Sequence, residues 1–234
     1  LLGTTVWADD KTKDKDSEAI AILKVAMAKQ KESGALDKAI ADLDALVAKQ
    51  PKDPDTHYAR GWVLSRLGRA EPAVAAYDKA FELDKKFADA AYNAGVVLAK
   101  AGKTKDAVTR FDRALAANPA HIDAAYNAGQ SYYDMKDFAK AAERWLIARK
   151  LAPQDFNAAK KVLQAYNALG NEAEAVKARD RVLELKKTSK DPQVMRLKSF
   201  VFDQFAVGKY HIFVSEAFDT SGTLAYVYQF QVIE

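Results

Sequence analysis

The chain has 234 residues, with 36 Lys and Arg against 32 Asp and Glu, a net charge of +4, 49% hydrophobic and 29% charged residues. That length supports one or two domains with a sizeable core, and the composition excludes a wholly disordered or collagen-like chain. The absence of cysteine excludes disulfides and thiolate chemistry, no run of 18 apolar residues is present to form a spanning helix, and the basic excess is too dilute to imply nucleic acid.

Residues 1–18 form an N-terminal segment. Its start, LLGTTVWA, has the character of the end of a signal peptide, and Val6 and Ala8 ahead of Asp9 fit a small-residue cleavage pattern. If retained, its Thr-Thr-Val-Trp run suits a strand exchanged into a sheet. Lys11 to Asp16 then reads as a charged, solvated linker. These features predict an exported or periplasmic protein, with the cytoplasm as the alternative location.

Residues 19–189 are repetitive. Four stretches beginning at Pro54, Ala88, Ile122 and Phe156 are each 34 residues long and align without insertion. A weaker fifth begins at Ile20. A small residue recurs at Ala39, Ala73, Ala107, Ala141 and Ala175. A bulky one follows four residues later at Leu43, Tyr77, Phe111 and Trp145, where Arg179 breaks the series. Glycine recurs within the first half of a unit at Gly61, Gly95 and Gly129, and between the halves at Gly34, Gly68, Gly102 and Gly170, with Lys136 as the exception. Each unit contains two stretches of helical periodicity, so each predicts a helical hairpin with a glycine at its turn. The small residues let two helix backbones approach, and the bulky residue is expected to fill the gap against the next unit. One hairpin cannot bury its apolar face alone, so the hairpins must stack.

This pattern closely resembles the tetratricopeptide repeat family, and Ala88 to His121 is nearly a consensus unit. The resemblance covers five units. It implies a mainly α fold, an α-α superhelix of antiparallel helix pairs, whose first helices line an inner surface that binds peptides or proteins. Carried onto this sequence, the partner-binding groove would be lined by Asp55, Tyr58, Trp62, Asp89, Tyr92, Asn93, Val96, Asp123, Tyr126, Asn127, Gln130 and Tyr133. In the last unit Asn157, Lys160, Lys161 and Gln164 would take that place. Tyrosine offers contact area at low entropic cost, and asparagine can hydrogen-bond a peptide backbone. The row Asp55, Asp89 and Asp123 predicts a partner carrying basic residues. The chaperone-tail carboxylate clamp of this family is disfavoured: Asp123 and Asn127, not Lys and Arg, follow Asn93, and Asn157 and Lys161 after Asn127 match it only partly. Residues 140–187 hold 11 Lys or Arg against 6 Asp or Glu, which reads first as a solvated helix face and otherwise as a surface for an acidic protein or a lipid head group.

Residues 190–234 change period. Three β-branched and aromatic runs, from Ser199, Tyr210 and Thr223, are joined by short links, which predicts a small antiparallel β meander, preceded by a short helix near 193–198. Such a sheet is not stable alone. It is expected either to cap the solenoid or to serve as an assembly surface through Phe213, Tyr226, Tyr228 and Phe230.

No phosphate loop, nucleophile elbow, zinc spacing or paired acid with a histidine base is found. His57 is expected to pack in the core. The chain therefore reads as a non-enzymatic interaction scaffold with no cofactor and no metal. The alternative is a self-assembling structural protein whose terminal strands join subunits into an oligomer or filament.

Overall fold

The computed structural model describes residues 17–191, 194, 199–207, 210–218 and 224–232. The strand, linker and cleavage-site expectations for residues 1–16 lie outside the described residues, as does the short helix near 193–198 apart from Val194.

Ten helices with described bounds follow one another among the described residues: α1 (Glu18–Lys29), α2 (Ala35–Lys49), α3 (Pro54–Arg66), α4 (Ala70–Leu83), α5 (Ala88–Lys100), α6 (Thr104–Ala117), α7 (Ile122–Asp134), α8 (Phe138–Leu151), α9 (Phe156–Leu169) and α10 (Glu172–Thr188). Taken two at a time they coincide with the five repeats, and the fold is a mainly α helical solenoid. Several helices start where the sequence supplies a side-chain cap. Asp53, Asp137, Asp155 and Asn171 each accept a backbone N–H from the first turn that follows, satisfying donors that have no partner inside the helix. The turns inside the hairpins use left-handed backbone. Gly34, Gly68, Gly102 and Gly170 lie at φ 71–74°, and Lys136, the exception in sequence, adopts the same conformation at φ 62°.

The chain divides into two compact units, 1–103 and 104–234. In the N-terminal unit, buried alanines and leucines of α1 to α5 form one core around Leu43, Tyr58, Val63 and Tyr77. In the C-terminal unit, Trp145 is fully buried. In two repeats the bulky residue sits against the glycine of its own first helix, and Trp145 also meets Lys161 of the following unit, the side the sequence suggested. A Cβ at Gly61 would lie 2.7 Å from the Tyr77 ring, and one at Gly129 would lie 2.4 Å from the Trp145 ring. The reason is geometric: the missing side chain leaves a notch one ring deep between two helices of one hairpin, and the ring fills it. The indole N–H of Trp145 donates to the Tyr126 carbonyl at 3.0 Å, which fixes the ring in that notch. His57 is buried as expected, with its ring nitrogen donating to the Pro51 carbonyl at 2.9 Å.

The C-terminal unit ends in three antiparallel strands, β1 (Ser199–Val207), β2 (Tyr210–Phe218) and β3 (Leu224–Val232), in the order β1-β2-β3. β1 shifts register between Val201 and Asp203 and meets α9. Tyr226, Tyr228 and Phe230 pair with Glu216, Val214 and Ile212, whereas Phe213 pairs with Gln204 and Gln229. Phe213 is thus one residue out of step with the other three, and the four do not form a single row. No helix among the described residues is long and apolar enough to cross a membrane.

Candidate functional site

The first helices of the repeats carry the predicted groove residues. In the N-terminal unit these are α3 and α5. Asp55 is half-buried and accepts from the Ser17 hydroxyl at 3.3 Å. Trp62 is half-buried on the core, with the Arg66 guanidinium 5.2 Å from its ring centre. Tyr92 and Asp89 are also half-buried on α5. Tyr58 corrects the expectation that it lines an open wall. It is only 6% exposed, its ring is stacked on Phe87 at 4.8 Å, and its hydroxyl accepts from the Asn93 amide at 2.9 Å. Burial, reinforced by the Asp89 charge, pushes its phenol well above the usual tyrosine range. Tyr58 therefore ties α3 to α5.

The C-terminal unit assembles the more complete site, on α7 and α9. Asp123 is exposed at the start of α7, Asn127 is half-buried one turn on, and Tyr126 stands beside it with its phenol raised by burial and by Asp155. Gln130 donates to Asp134 at 2.7 Å and accepts from the Lys161 ammonium at 2.7 Å, so α7 and α9 are joined by a polar chain. Lys161 also lies 5.2 Å from the Trp145 ring centre. Partial burial holds its pKa below the ordinary lysine value, while Asp134 works in the opposite direction. Tyr133 departs from its expected place in the groove. Its ring packs on Phe138 at 5.1 Å and Trp145 at 5.6 Å, inside its own hairpin.

Between α7 and α9 lies a cavity of about 290 Å³, lined by Tyr126 and by Asn157, Lys160, Lys161, Gln164 and Asn167, with Leu163 beneath. The polar lining residues of α9 recur at three- and four-residue spacing, so they share one helix face. Asn167 escaped the sequence reading. It stands one turn beyond Gln164 on the same stripe, and that spacing is the signal which finds it. Amide groups, two ammonium groups and one phenol converge here. The set can hydrogen-bond a peptide backbone and pair with a carboxylate. It contains no nucleophile with an adjacent base, and no metal-holding cluster of His, Asp and Glu occurs among the described residues.

The tetratricopeptide repeat profile matches residues 31–86, 58–122, 92–143 and 126–192, four overlapping spans that together cover well over half of the chain. The chain belongs to the tetratricopeptide repeat family. Solved structures of tetratricopeptide proteins share its fold. The crystal structure of MamA is 25% identical with a TM-score of 0.61 and covers 72% of this chain and 92% of its own. MamA from Desulfovibrio magneticus RS-1 is 23% identical at a TM-score of 0.58, covering 75% of this chain and 99% of its own. YrrB, described as a tetratricopeptide protein with an unusual peptide-binding site, is 19% identical at a TM-score of 0.58 over 76% of this chain and 89% of its own. Curated protein sequences give no match. In this tetratricopeptide chain the cavity is built from the first helices of the fourth and fifth repeats, α7 and α9.

Proposed function

We propose that the protein is a non-enzymatic scaffold that holds a peptide segment of a partner protein against α7 and α9. The observation that carries this reading is the cavity lined by Tyr126, Asn157, Lys160, Lys161, Gln164 and Asn167. Its amides suit a peptide backbone, and its two lysines suit an acidic side chain rather than the basic partner suggested by Asp55, Asp89 and Asp123. YrrB, with its peptide-binding site on the same fold, supports the same use of the scaffold. The test is selection from a library of displayed dodecapeptides on the full chain and on the triple variant Asn157→Ala/Lys161→Ala/Gln164→Ala. Selected peptides should be rich in Asp and Glu, and should bind the variant at least tenfold more weakly while its helical circular dichroism is unchanged. Equal binding by the two proteins would overturn the reading.

A second reading concerns the sheet. β3 pairs only with β2 among the described residues, and Val232 on it is 59% exposed. An unpaired strand edge is a template for another strand. This supports the alternative of self-assembly through β3, which light scattering on the full chain would show as a mass above that of one chain.

A further inference from the structure

The C-terminal unit contains a second concavity that the inner wall does not use. It lies where α8, α9 and α10 meet and encloses about 500 Å³. Tyr166 faces it from α9. At about 100° per residue, Tyr166 stands roughly 200° around the helix from Gln164, which lines the inner cavity. The two sites therefore occupy opposite faces of α9.

Its rim is cationic. Arg149 and Lys150 come from the last turn of α8, and Lys177 and Arg181 from α10. One carboxylate, Glu174, lines it with them, and Glu184 pairs with Arg181 from the same helix, so the rim keeps a surplus of two positive charges. The floor is apolar, made of Pro153, Ala178 and the Tyr166 ring. Ordinary surface pairing accounts for only part of this. Lys177 binds Glu174 at 2.6 Å, and Arg181 binds Glu184 at 2.7 Å, both within α10. Arg149 and Lys150 have no carboxylate partner among the described residues. A cation near a helix C-terminus complements the dipole of that helix. That explains α8 by itself and leaves unexplained why cations from α10 converge on the same hollow. Arg181 is also held in place: its second guanidinium nitrogen donates to the Pro153 carbonyl at 2.7 Å. A fixed guanidinium beside free cations is prepared for an anion at little further entropic cost.

We propose that this cleft is a second docking site, for an acidic peptide segment of a protein partner that places an aromatic or aliphatic side chain on the Tyr166 floor. Charge complementarity selects the acidic segment. The hollow shape and apolar floor favour a peptide with an anchor over a flat anionic membrane surface, which would meet the rim lysines alone.

The test uses the full chain in a Lys160→Ala/Lys161→Ala background, which removes the inner-wall cations, so that failure of the inner site and failure of this one remain distinct. The probe is a fluorescein-labelled peptide of repeating Glu-Glu-Phe, read by anisotropy at low salt. Introducing Lys150→Glu and Lys177→Glu, both at exposed positions, should weaken binding at least tenfold. A second pair, Arg149→Gln and Arg181→Gln, should weaken it by a similar factor, and Tyr166→Ala should weaken the Phe-containing probe more than a Glu-Glu-Ser version. Binding unchanged by both charge pairs would overturn the proposal. So would a charge-dependent association with phosphatidylglycerol vesicles in the absence of peptide binding, which would assign the rim to a membrane.

Discussion

At the scale of single residues, the glycines of the first helices are fixed by what lies against them. Gly129 has no room for a side chain, because the Trp145 ring is buried on every side and is tied to the Tyr126 carbonyl. Alanine is the better helix former by about 1 kcal/mol, but overpacking a rigid core costs about 1–3 kcal/mol. The clash at 2.4 Å puts Gly129→Ala at the upper end of that range. The variant should lose about 2 kcal/mol of stability net, or roughly 4–8 °C in melting temperature, by calorimetry. Lys136 is the opposite case. It is exposed and holds φ 62° at a turn where four other repeats use glycine. Left-handed backbone costs a side-chain-bearing residue about 1–2 kcal/mol, and glycine adds back about 0.4–1 kcal/mol through the unfolded chain. Lys136→Gly should therefore stabilise by about 0.5–1 kcal/mol in a urea titration. A loss of stability would mean that the Lys136 side chain makes a contact worth more than the strain.

At the scale of elements, Asp112 on α6 joins three helices of the C-terminal unit. It accepts from the Tyr132 hydroxyl of α7 at 2.7 Å and from the Arg144 guanidinium of α8 at 2.8 Å. Burial, then the bond to Asp112 and its charge, pushes the Tyr132 phenol up to about 12. In the unfolded chain a tyrosine titrates near 10. The folded state thus favours the neutral phenol, and its contribution is complete below about pH 10 and lost as pH rises from there toward about 12. Stability measured by denaturant across that window should fall more steeply for the natural chain than for Tyr132→Phe, which has no proton to lose. Equal slopes would show that Tyr132 does not carry the alkaline transition. The hairpins were readable because a 34-residue period with helical spacing leaves little choice of fold. The depth of Tyr58 was not readable, since the ring that covers it, Phe87, precedes a different helix of the next repeat. The contacts of Tyr77 with Gly61 and of Trp145 with Gly129 were not readable for the same reason: period identifies equivalent positions, and packing decides which two of them touch. The excess of Lys and Arg in 140–187 was visible, but its convergence on one cleft depends on how α8 and α10 flank α9.

At the scale of the whole molecule, a solenoid is stabilised chiefly by each repeat's contact with its neighbours. A terminal repeat lacks one neighbour and is the first to open. At the N-terminal end α1 leaves Val25 and Met27 exposed, at 57% and 47%, and no glycine notch is present in that helix. At the other end α9 is followed by α10 and met by β1. If the sheet substitutes for a further neighbour, deleting residues 199–234 removes that support. Hydrogen exchange should then accelerate in Phe156–Thr188, while α7 and α8 keep their protection, because coupling between repeats decays along the array. A sheet that serves assembly instead predicts unaltered exchange in α9 and α10 of the truncated chain, together with a fall in solution mass. The two outcomes separate because capping acts within one chain and is independent of concentration, whereas strand-edge pairing between chains follows mass action.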